Sequence, residues 1–447
     1  MLIAKECQPA AYFSLQHGVM NRLALLRSAK TINDLADLLG VKHSGLSFIL
    51  YKKPTETKYQ SFTVPKKAGG VRAIHAPTSE LKLFQRRLAD LLQECLNEIE
   101  ATFRKTSEDR RPEKISHGFH PGRSIITNAI QHRRRRYVLN VDLKDFFGTC
   151  NFGRVRGLLI KNEHFLLHDR VATVIAHLAC HEGALPQGAP SSPVISNLIG
   201  RVLDIRLVKL ANSVGCSYSR YADDLTFSTN DRQFPPQLAA EIPPSSGRWE
   251  PGPALLGEIA SSGFSLNPKK TRMQLHESRQ MVTGLVVNTR VNVSSDYRHL
   301  IRAMVHRLLT KGEYEISTAA GPIKGTTEQL QGMLSFIDSI DEFNRKRFKE
   351  RDVPFPRQRD ETFRDFVFYR HVYQASRPTL ICEGKTDNVY LTHAIRAMAK
   401  LFPDLASPGF YPVSADTSKK AEDGHKECLC RSEGSTALSS SVVLWSR

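Results

Sequence analysis

The stretch SRYADDLTFS, residues 219–228, sets two adjacent aspartates between flanks in which apolar and polar residues alternate. Alternation with a period of two is typical of a half-buried β-strand, so the stretch predicts a β-hairpin with Asp223 and Asp224 at its tip. Aspartate is a common turn residue, and a solvated turn is the simplest interpretation of the pair. Two like charges side by side repel each other, however, so a second explanation for their placement is needed.

A third acid, Asp142, ends the β-forming run YVLNVDL at a distant place in the chain. Two strand-borne acidic positions from separate segments predict a shared carboxylate site, because the strands must converge there. Mg²⁺ takes oxygen ligands from one or two carboxylates, with water and substrate phosphates completing its shell. Two such ions about 4 Å apart would activate a hydroxyl nucleophile and stabilise a leaving pyrophosphate. These acids therefore predict two-metal phosphoryl transfer.

The charge balance indicates the kind of partner. Lysine and arginine outnumber aspartate and glutamate by 63 to 45, and the net charge of +18 favours nucleic acid ahead of an anionic membrane surface. No apolar run reaches the roughly 18 residues of a spanning helix and no signal pattern opens the chain, so we expect a soluble, cytoplasmic protein without membrane contact. Eight cysteines without a CxxC spacing predict neither a disulfide framework nor a zinc site.

The rest of the chain divides into short predicted elements. In chain order these are helices over 20–52 with a break at Gly40, a strand-turn-strand over 61–77, an amphipathic helix over 81–99, helix over 154–182, a further helix to about 214, an exposed insertion rich in proline, glycine and serine over 234–255, a helix and strand pair over 255–288, and mostly helical, basic sequence to about 375.

Four motifs follow one another in a recognisable order: the Asp142 strand with two phenylalanines after it, LPQGAPSSPVISNL, YADD and GFSLNPKKTRM. At these residues the chain resembles a reverse transcriptase, over roughly residues 60–290. NAIQH at 128–132 matches the NAxxH element of retron reverse transcriptases, and VTGLVVN from Val282 matches their VTG element. Together the two elements favour a retron enzyme over group II intron or diversity-generating relatives.

The resemblance implies an α+β, right-hand polymerase fold with a palm that contains an antiparallel sheet. The expected domains are an N-terminal helical region at 1–60, fingers and palm at 61–290, a helical thumb at 291–376, a partial α/β Toprim-like segment at 377–411, and an irregular or disordered tail at 412–447.

The resemblance also implies roles for the residues of the polymerase motifs. Asp142, Asp223 and Asp224 would form the catalytic set that binds two Mg²⁺ ions, with the backbone carbonyl of Leu143 as a further ligand. Phe147 would be the steric gate that excludes a ribose 2′-hydroxyl, unless it is simple core. The expected nucleotide-binding residues are Lys66, Arg72, Phe147, Gln187, Gly188 and Lys270. Without the family pattern, the three basic residues of this group would be read as solvated surface.

A larger group is expected to bind RNA. It comprises Asn128, His132, Arg133, Arg134, Arg135, Arg136, Val282, Thr283, Gly284, Arg298 and Arg302. The four consecutive arginines have the composition of a phosphate-contacting patch, although such runs are commonly solvated. Asn128 and His132 could position structured RNA or cap a helix, and both interpretations stay open.

The segment LICEGKTDNVYL resembles the opening strand of a Toprim domain, in which Glu383 would act as acid or base. A working Toprim domain also needs a later DxD pair to hold metal, and none follows Glu383. We therefore expect an inactive segment that is truncated, frame-shifted or divergent.

The function that the resemblance implies is RNA-templated DNA synthesis from deoxynucleoside triphosphates. The template and primer would be the enzyme's own structured noncoding RNA, and the product a branched, RNA-linked single-stranded DNA (msDNA) used in defence against phage. Two alternatives remain at this stage: a group II intron-like reverse transcriptase, and a non-catalytic RNA-binding protein on a polymerase scaffold.

Overall fold

The computed structural model describes residues 21–65, 69–106, 115–243, 246–318, 321–348, 357–374, 379–382, 385–399, 401–403, 413–414 and 442–444. The chain divides into two units, Met1–Val291 and Asn292–Arg447, each described by itself below. Among the described residues, no helix combines the length and the apolar character that crossing a membrane requires.

The first unit opens with three short helices, α1 (Arg22–Ser28), α2 (Ile32–Leu38) and α3 (His43–Ser47), and a π-helical turn at Phe48–Lys52. Thr31 and Asp34 form a capping box at the start of α2, which satisfies backbone N–H groups that a helix end leaves without partners. Gly40 adopts a φ of +62° after α2, where the helical pattern breaks. The predicted helices over 20–52 are confirmed.

A hairpin and a long helix follow. Strands β1 (Tyr59–Pro65) and β2 (Val71–Pro77) pair antiparallel, and α4 spans Ser79–Thr106. One face of α4, with Leu81, Leu88 and Cys95 among its residues, is buried in the main core. Both elements agree with the sequence pattern.

The remaining elements of the first unit carry and support the central sheet. They are α5 (Ile125–Ala129), a 3-10 turn (Ile130–His132), β3 (Tyr137–Asp142), α6 (Phe146–Thr149), α7 (Phe152–Lys161), α8 (Asp169–Ala179), α9 (Ser192–Ser213), β4 (Ser217–Tyr221), β5 (Asp224–Thr229), β6 (Ala239–Glu241), β7 (Trp249–Pro251), α10 (Pro253–Ser261), a 3-10 turn (Pro268–Lys270), β8 (Arg272–Leu275), β9 (Met281–Val282) and β10 (Leu285–Val286).

The central sheet has the order β4-β5-β3-β8, and every neighbouring pair is antiparallel. Leu139, Leu225 and Phe227 of this sheet are fully buried in the main core. The register sets Asp142 directly opposite Asp224, so the end of β3 and the start of β5 meet at the hairpin tip.

The edge of this sheet at β4 is covered by a short extended segment. The Arg220 N–H donates to the Ile115 carbonyl at 2.9 Å, and the His117 N–H donates to the Arg220 carbonyl at 2.8 Å. Ser116 and Arg220 therefore form a parallel bridge along the outer side of β4.

The insertion at 234–255, predicted to be exposed, is anchored in the core. Phe234, Leu238 and Ala239 are buried, and β6 pairs with β7 in a small hairpin. The ring of Phe234 packs edge-on against Trp249 and lies 5.8 Å from the ring of Tyr137 on β3. The prediction of an exposed segment is wrong for these residues because three apolar side chains outweigh the turn-forming composition around them.

The second unit is built around helices. Its elements are α11 (Ser295–Lys311), β11 (Glu315–Thr318), β12 (Gly321–Lys324), α12 (Thr327–Phe348), α13 (Arg357–Phe368), a π-helical turn (Tyr369–Tyr373), β13 (Thr379–Cys382), α14 (Lys385–Met398), β14 (Val413–Ser414) and β15 (Val442–Leu444). Ile301, Leu330 and Phe366 form the centre of its own core and are fully buried.

Two parts of the predicted irregular tail are strands. Val413–Ser414 and Val442–Leu444 both pair in parallel with β13, in the order β14-β13-β15. The tail prediction is wrong at these residues, because a run as short as VVL gives too weak a periodicity to stand out in polar sequence. Glu383 lies outside the described residues, and the Toprim-like assignment stays a prediction.

A fully buried ion pair lies beneath the hairpin tip. Arg220 on β4 donates two hydrogen bonds to the carboxylate of Asp204 on α9, each at 2.8 Å, and Asp204 also accepts one from the Tyr218 hydroxyl at 2.9 Å. Burial alone would lower the pKa of Arg220, but the charge and hydrogen bonds of Asp204 outweigh it and the pKa is raised. Gly200 on α9 lies against the guanidinium, where an ideal Cβ would be 2.8 Å from Nη2.

We expect Gly200→Ala to lower the free energy of unfolding by up to about 2 kcal/mol. The added methyl group displaces a guanidinium that is held on Asp204, at a cost of about 1–3 kcal/mol, and the helix preference of alanine over glycine offsets roughly 1 kcal/mol of this cost. The matched control is Gly257→Ala on α10, where no heavy atom lies within 4 Å of the added Cβ, and which should be stabilised. Urea unfolding of both variants measures the difference. Equal stabilisation of both would contradict the packing argument.

Candidate active site

The YADD turn is fixed from several directions. Ala222 has a φ of +56°, a left-handed conformation that is uncommon for a residue with a side chain. Its carbonyl accepts a hydrogen bond from Nη1 of Arg220 at 3.1 Å, and the Asp223 carbonyl accepts one from the Leu143 N–H at 2.9 Å. Gly118 packs so closely on the turn that a Cβ there would be 2.5 Å from the Ala222 nitrogen. The backbone that carries the two acids is therefore held in one conformation.

Lys270 meets the acids from the 3-10 turn that precedes β8. Its Nζ lies 2.6 Å from Oδ2 of Asp142, and the N–H of Asn267 in the same loop donates to the Asp142 carbonyl at 2.8 Å. Partial burial opposes charge on the lysine, but the carboxylates of Asp142, Asp223 and Asp224 raise its pKa. Lys270 is therefore a stable cation at neutral pH.

The two aspartates of the turn are protonated more readily than ordinary carboxyl groups. The pKa of Asp223 is raised, first by removal from water and then by the Asp142 carboxylate, and Lys270 and Arg72 offset only part of the rise. The pKa of Asp224 is raised to about 6 by the same loss of hydration and by the charges of Asp223 and Asp142, although part of this residue faces solvent. The site thus holds more negative charge than its surroundings compensate.

Phe147 and the QG loop, Gln187 and Gly188, are each held by neighbouring elements. Phe147 on α6 is half-buried, with its ring 5.5 Å from that of Phe146 and 6.2 Å from that of Phe119. The Gln187 carbonyl accepts a hydrogen bond from the His75 N–H of β2 at 2.9 Å. Gly188 has a φ of +118°, and a Cβ there would be 3.1 Å from the His75 carbonyl oxygen. The QG loop is therefore docked on the hairpin formed by β1 and β2.

The predicted phosphate-binding residues of that hairpin are only partly described. Arg72 is exposed on β2, and its charge acts on Asp223, which puts it on the same side as the acids. Lys66 lies outside the described residues.

Three residues predicted to bind RNA are buried instead. Asn128, His132 and Val282 have no exposed surface, so none of them can contact RNA in this structure. The assignment of direct RNA contact is therefore wrong for these three residues, because a sequence element does not show which way its side chains point. Thr283 is half-buried and Gly284 is exposed.

The arginine run is divided between contacts and solvent. Arg134 and Arg136 are exposed, whereas Arg133 and Arg135 are half-buried. Nη2 of Arg135 donates to the Ser217 hydroxyl at 3.1 Å. The exposed pair is the part of the run that can meet a phosphate backbone.

In the second unit, the side chain of Arg298 forms hydrogen bonds with other residues of that unit. Its guanidinium donates to both carboxylate oxygens of Asp341, at 3.0 and 2.8 Å, and to Oδ1 of Asn292. Most of its donors are therefore engaged within the unit, and the role of Arg298 in RNA binding stays a prediction. Arg302, one helical turn further on, is exposed.

Comparison with known proteins agrees with this geometry. The family model described as reverse transcriptase (RNA-dependent DNA polymerase) matches residues 64–287. The retron Mx65 reverse transcriptase of Myxococcus xanthus is 34% identical over 342 residues, which cover 73% of this chain and 72% of that protein. The chain belongs to the retron reverse transcriptase family. It is an RNA-directed DNA polymerase.

Two further relatives support the family. The retron Ec86 reverse transcriptase of Escherichia coli is 30% identical over 71% of this chain and 86% of its own length. The retron Mx162 reverse transcriptase of Myxococcus xanthus is 35% identical over 72% of this chain and 65% of its own length. Solved telomerases of Candida tropicalis and Candida albicans match with TM-scores of 0.36 and 0.37, at 13% and 12% identity, over 74% and 83% of this chain and 62% and 67% of theirs.

Catalysis by reverse transcriptases depends on a divalent metal, and the donors of this retron enzyme suit one. Asp142, Asp223 and Asp224 offer only carboxylate oxygens, the ligands of hard cations, and their mutual repulsion favours a cation between them. Within the described part of the chain, no three acidic, histidine or cysteine side chains are already arranged to hold a metal ion. Lys270 covers Oδ2 of Asp142, so a cation can bind that oxygen only after the lysine moves away.

Sequence reasoning missed the residues that support the turn. Arg220, Asp204 and Asn197 act beneath it, and the Asn197 side chain donates to the Gly118 carbonyl at 2.8 Å. A usable signal was present: Arg220 immediately precedes YADD, within a strand of the predicted half-buried hairpin. A charged residue at such a position calls for a buried partner.

We expect Asp224→Asn to raise the thermal midpoint of the metal-free retron enzyme by a few degrees at pH 7.5. The folded state binds a proton on Asp224 with a pKa of about 6, above the roughly 3.9 of an ordinary aspartate, so this group favours folding below about pH 4 and loses that contribution as pH rises through about 6. Asparagine removes the repulsion that wild type carries above this range. The gain should shrink towards zero at pH 4.5, as thermal scans in EDTA would show. An equal gain at both pH values would exclude the carboxylate repulsion as its cause.

Proposed function

We propose that this enzyme copies its own structured noncoding RNA into branched, RNA-linked single-stranded DNA by two-metal nucleotidyl transfer with Mg²⁺. The observation that carries the proposal is the meeting of Asp142, Asp223 and Asp224 at one sheet end, with Lys270 2.6 Å from Asp142. The family supplies RNA-directed polymerisation, and the NAxxH and VTG elements favour the retron type of template.

The chemical step joins a hydroxyl oxygen to the α-phosphorus of a deoxynucleoside triphosphate while the bond to pyrophosphate breaks. Asp142, Asp223, Asp224 and the Leu143 carbonyl would hold the ions, which when bound promote loss of the hydroxyl proton and neutralise the charge on the leaving group. Lys270, kept cationic by the acids, would move to the pyrophosphate and donate a proton or a charge-assisted hydrogen bond. Arg72 would pair its planar guanidinium with phosphate oxygens.

Phe147 and the QG loop would select and seat the nucleotide. Phe147 would pack under the sugar and collide with a 2′-hydroxyl. Gln187 and Gly188 would contact the incoming nucleotide and template, because the QG loop is docked on β2, the strand that carries Arg72.

The RNA would be held by charge and shape. Exposed Arg134 and Arg136 and the net charge of +18 suit a phosphate backbone, whose contacts carry no sequence information. Arg302 on α11 would serve an RNA–DNA duplex in the same way. Synthesis would begin at the 2′-hydroxyl of an internal guanosine, which yields the branch, and the product would act in defence against phage.

We expect Asp223→Asn to lower nucleotide incorporation by about 10³-fold or more, equivalent to roughly 4 kcal/mol in the barrier, because the oxygen ligand loses its charge. The dissociation constant for RNA should stay within about twofold of the wild-type value, because RNA affinity depends mainly on the many contacts between basic residues and phosphates. Primer extension on an RNA template and a filter-binding assay measure the two quantities. Asp231→Asn, beyond the other end of β5, is the matched control and should keep full activity. Retained synthesis by Asp223→Asn would reject the site.

We expect Phe147→Ala to admit ribonucleotides, because the ring that would meet the 2′-hydroxyl is gone. The ratio of kcat/KM for dNTP to that for rNTP should fall by about 10-fold or more, with most of the change on the ribonucleotide side. Phe147→Tyr keeps the ring and should keep the ratio. Single-nucleotide incorporation assays would show this, and an unchanged ratio in Phe147→Ala would assign the residue to the core alone.

A further inference from the structure

The NAxxH and VTG elements, separated by some 150 residues of chain, belong to one structural unit. The helix α5 carries Asn128 and is followed directly by the 3-10 turn that ends at His132. This helix packs against β9 and β10, whose turn is the VTG sequence, and against β4 of the catalytic hairpin. The unit is therefore placed against the hairpin that carries the acids.

A chain of four side chains connects this unit to both strands of the hairpin. Nδ1 of His132 lies 2.7 Å from the Ser228 hydroxyl on β5, and Nε2 lies 2.7 Å from the Ser219 hydroxyl on β4. The Ser219 hydroxyl donates to Oδ1 of Asn128 at 2.6 Å. All four residues are completely buried.

The chain has one direction. With the Asn128 amide oriented so that Oδ1 faces Ser219, the single hydroxyl proton of Ser219 goes to that bond, which makes Nε2 of His132 the donor to Ser219. In this orientation Nδ2 of Asn128 has no partner among the described residues. Nδ1 is then the acceptor for the Ser228 hydroxyl. Burial, together with the charges of Arg135 and His117, lowers the pKa of His132 to about 3, so the ring stays neutral in this tautomer at physiological pH.

His132 joins one position on each arm of the hairpin. Ser219 lies four residues before Asp223, and Ser228 lies four residues after Asp224. Ser219 pairs with Thr226 and Ser228 with Ser217, so a single imidazole ties the two arms together at staggered positions of the ladder. Removal of either bond would leave a buried polar group without a partner, which is costly.

The VTG turn secures the start of α5. Thr283 and Gly284 have φ angles of +48° and +79°, as the two central residues of a tight hairpin turn between paired Val282 and Leu285. Threonine is β-branched and unfavourable in this conformation. Its hydroxyl donates to the carbonyl of Ile125, the first residue of α5, at 3.2 Å, which gives a reason for threonine at this position.

We propose that the NAxxH and VTG elements form a brace that fixes the arms of the catalytic hairpin, with His132 as the positioning residue that joins them. The brace acts on the rate of the chemical step by holding Asp223 and Asp224, and it does not bind RNA. This inference rests on the proposed catalytic role of these two aspartates.

The test uses a template that lacks retron-specific structure, poly(rA) primed with oligo(dT). We expect His132→Phe, Ser219→Ala and Ser228→Ala each to lower kcat for dTTP by about 10-fold, with the KM for dTTP and the dissociation constant for the template-primer changed by less than about twofold. His132→Phe/Ser219→Ala should be no slower than His132→Phe alone, because both substitutions break the same chain. Ser196→Ala on α9 is the matched control, because Ser196 is also a buried serine and its hydroxyl donates to the nearby Pro193 carbonyl.

Weaker template binding with kcat unchanged in His132→Phe, or additive effects in the double variant, would overturn the brace. For the VTG turn, Thr283→Ser keeps the hydroxyl and should keep kcat, whereas Thr283→Val should lower it. Equal activity of these two variants would show that the Thr283 hydroxyl does not contribute to the brace.

The protonation of His132 in the wild-type enzyme can be measured without an activity assay. Nuclear magnetic resonance of ¹⁵N-histidine-labelled enzyme should show one ring, identified by its loss in His132→Phe, as the neutral Nε2–H tautomer from pH 8 to pH 5. A His132 ring that titrates in this range, or one in the Nδ1–H tautomer, would contradict the hydrogen-bond directions given for His132, Ser219 and Ser228. Wild type that shows the expected tautomer but fails to extend oligo(dT) would count against the proposed catalytic site and leave the brace standing.

Discussion

The ion pair between Arg220 and Asp204 is the contact on which the active site depends. A guanidinium removed from water is costly unless a carboxylate and further hydrogen bonds surround it. Here Asp204 takes two of its donors and the Ala222 carbonyl takes a third. The pair therefore joins α9 to the turn that carries the acids, and Gly200 gives the guanidinium its place. Loss of one partner would leave the other charge buried and would release the turn.

The charges of the three acids, in contrast to those of the Arg220–Asp204 pair, are not neutralised within the site. Asp142, Asp223 and Asp224 are brought together without enough positive charge, and Lys270 is bonded to Asp142 while it also lowers the pKa of the other two. A site of this kind is destabilised when empty and is relieved by cations. The strain is tolerable because the backbone is held by groups that do not take part in the reaction.

The sequence predicts the active site better than its support. Alternation around YADD, the strand that ends at Asp142 and the long amphipathic α4 are local patterns, and each element is present. Burial is a property of the assembled fold, so the sequence does not show that Asn128 and His132 point inward or that Arg298 is committed to Asp341. The prediction that the insertion at 234–255 is exposed was wrong for a related reason. A few apolar residues within turn-rich sequence pack in the core, and one of them, Phe234, contacts Tyr137.

The segment at residues 115–118 contacts both the edge strand β4 and the turn that carries Asp223. Ser116 covers the outer side of β4, while Gly118 presses on the Ala222 turn. Uncovered edge strands expose unpaired backbone groups and recruit other chains. Any substitution that lifts this segment would therefore free the turn that carries Asp223 and expose the sheet edge to aggregation, so that loss of the turn's conformation and loss of solubility would arise from a single local event.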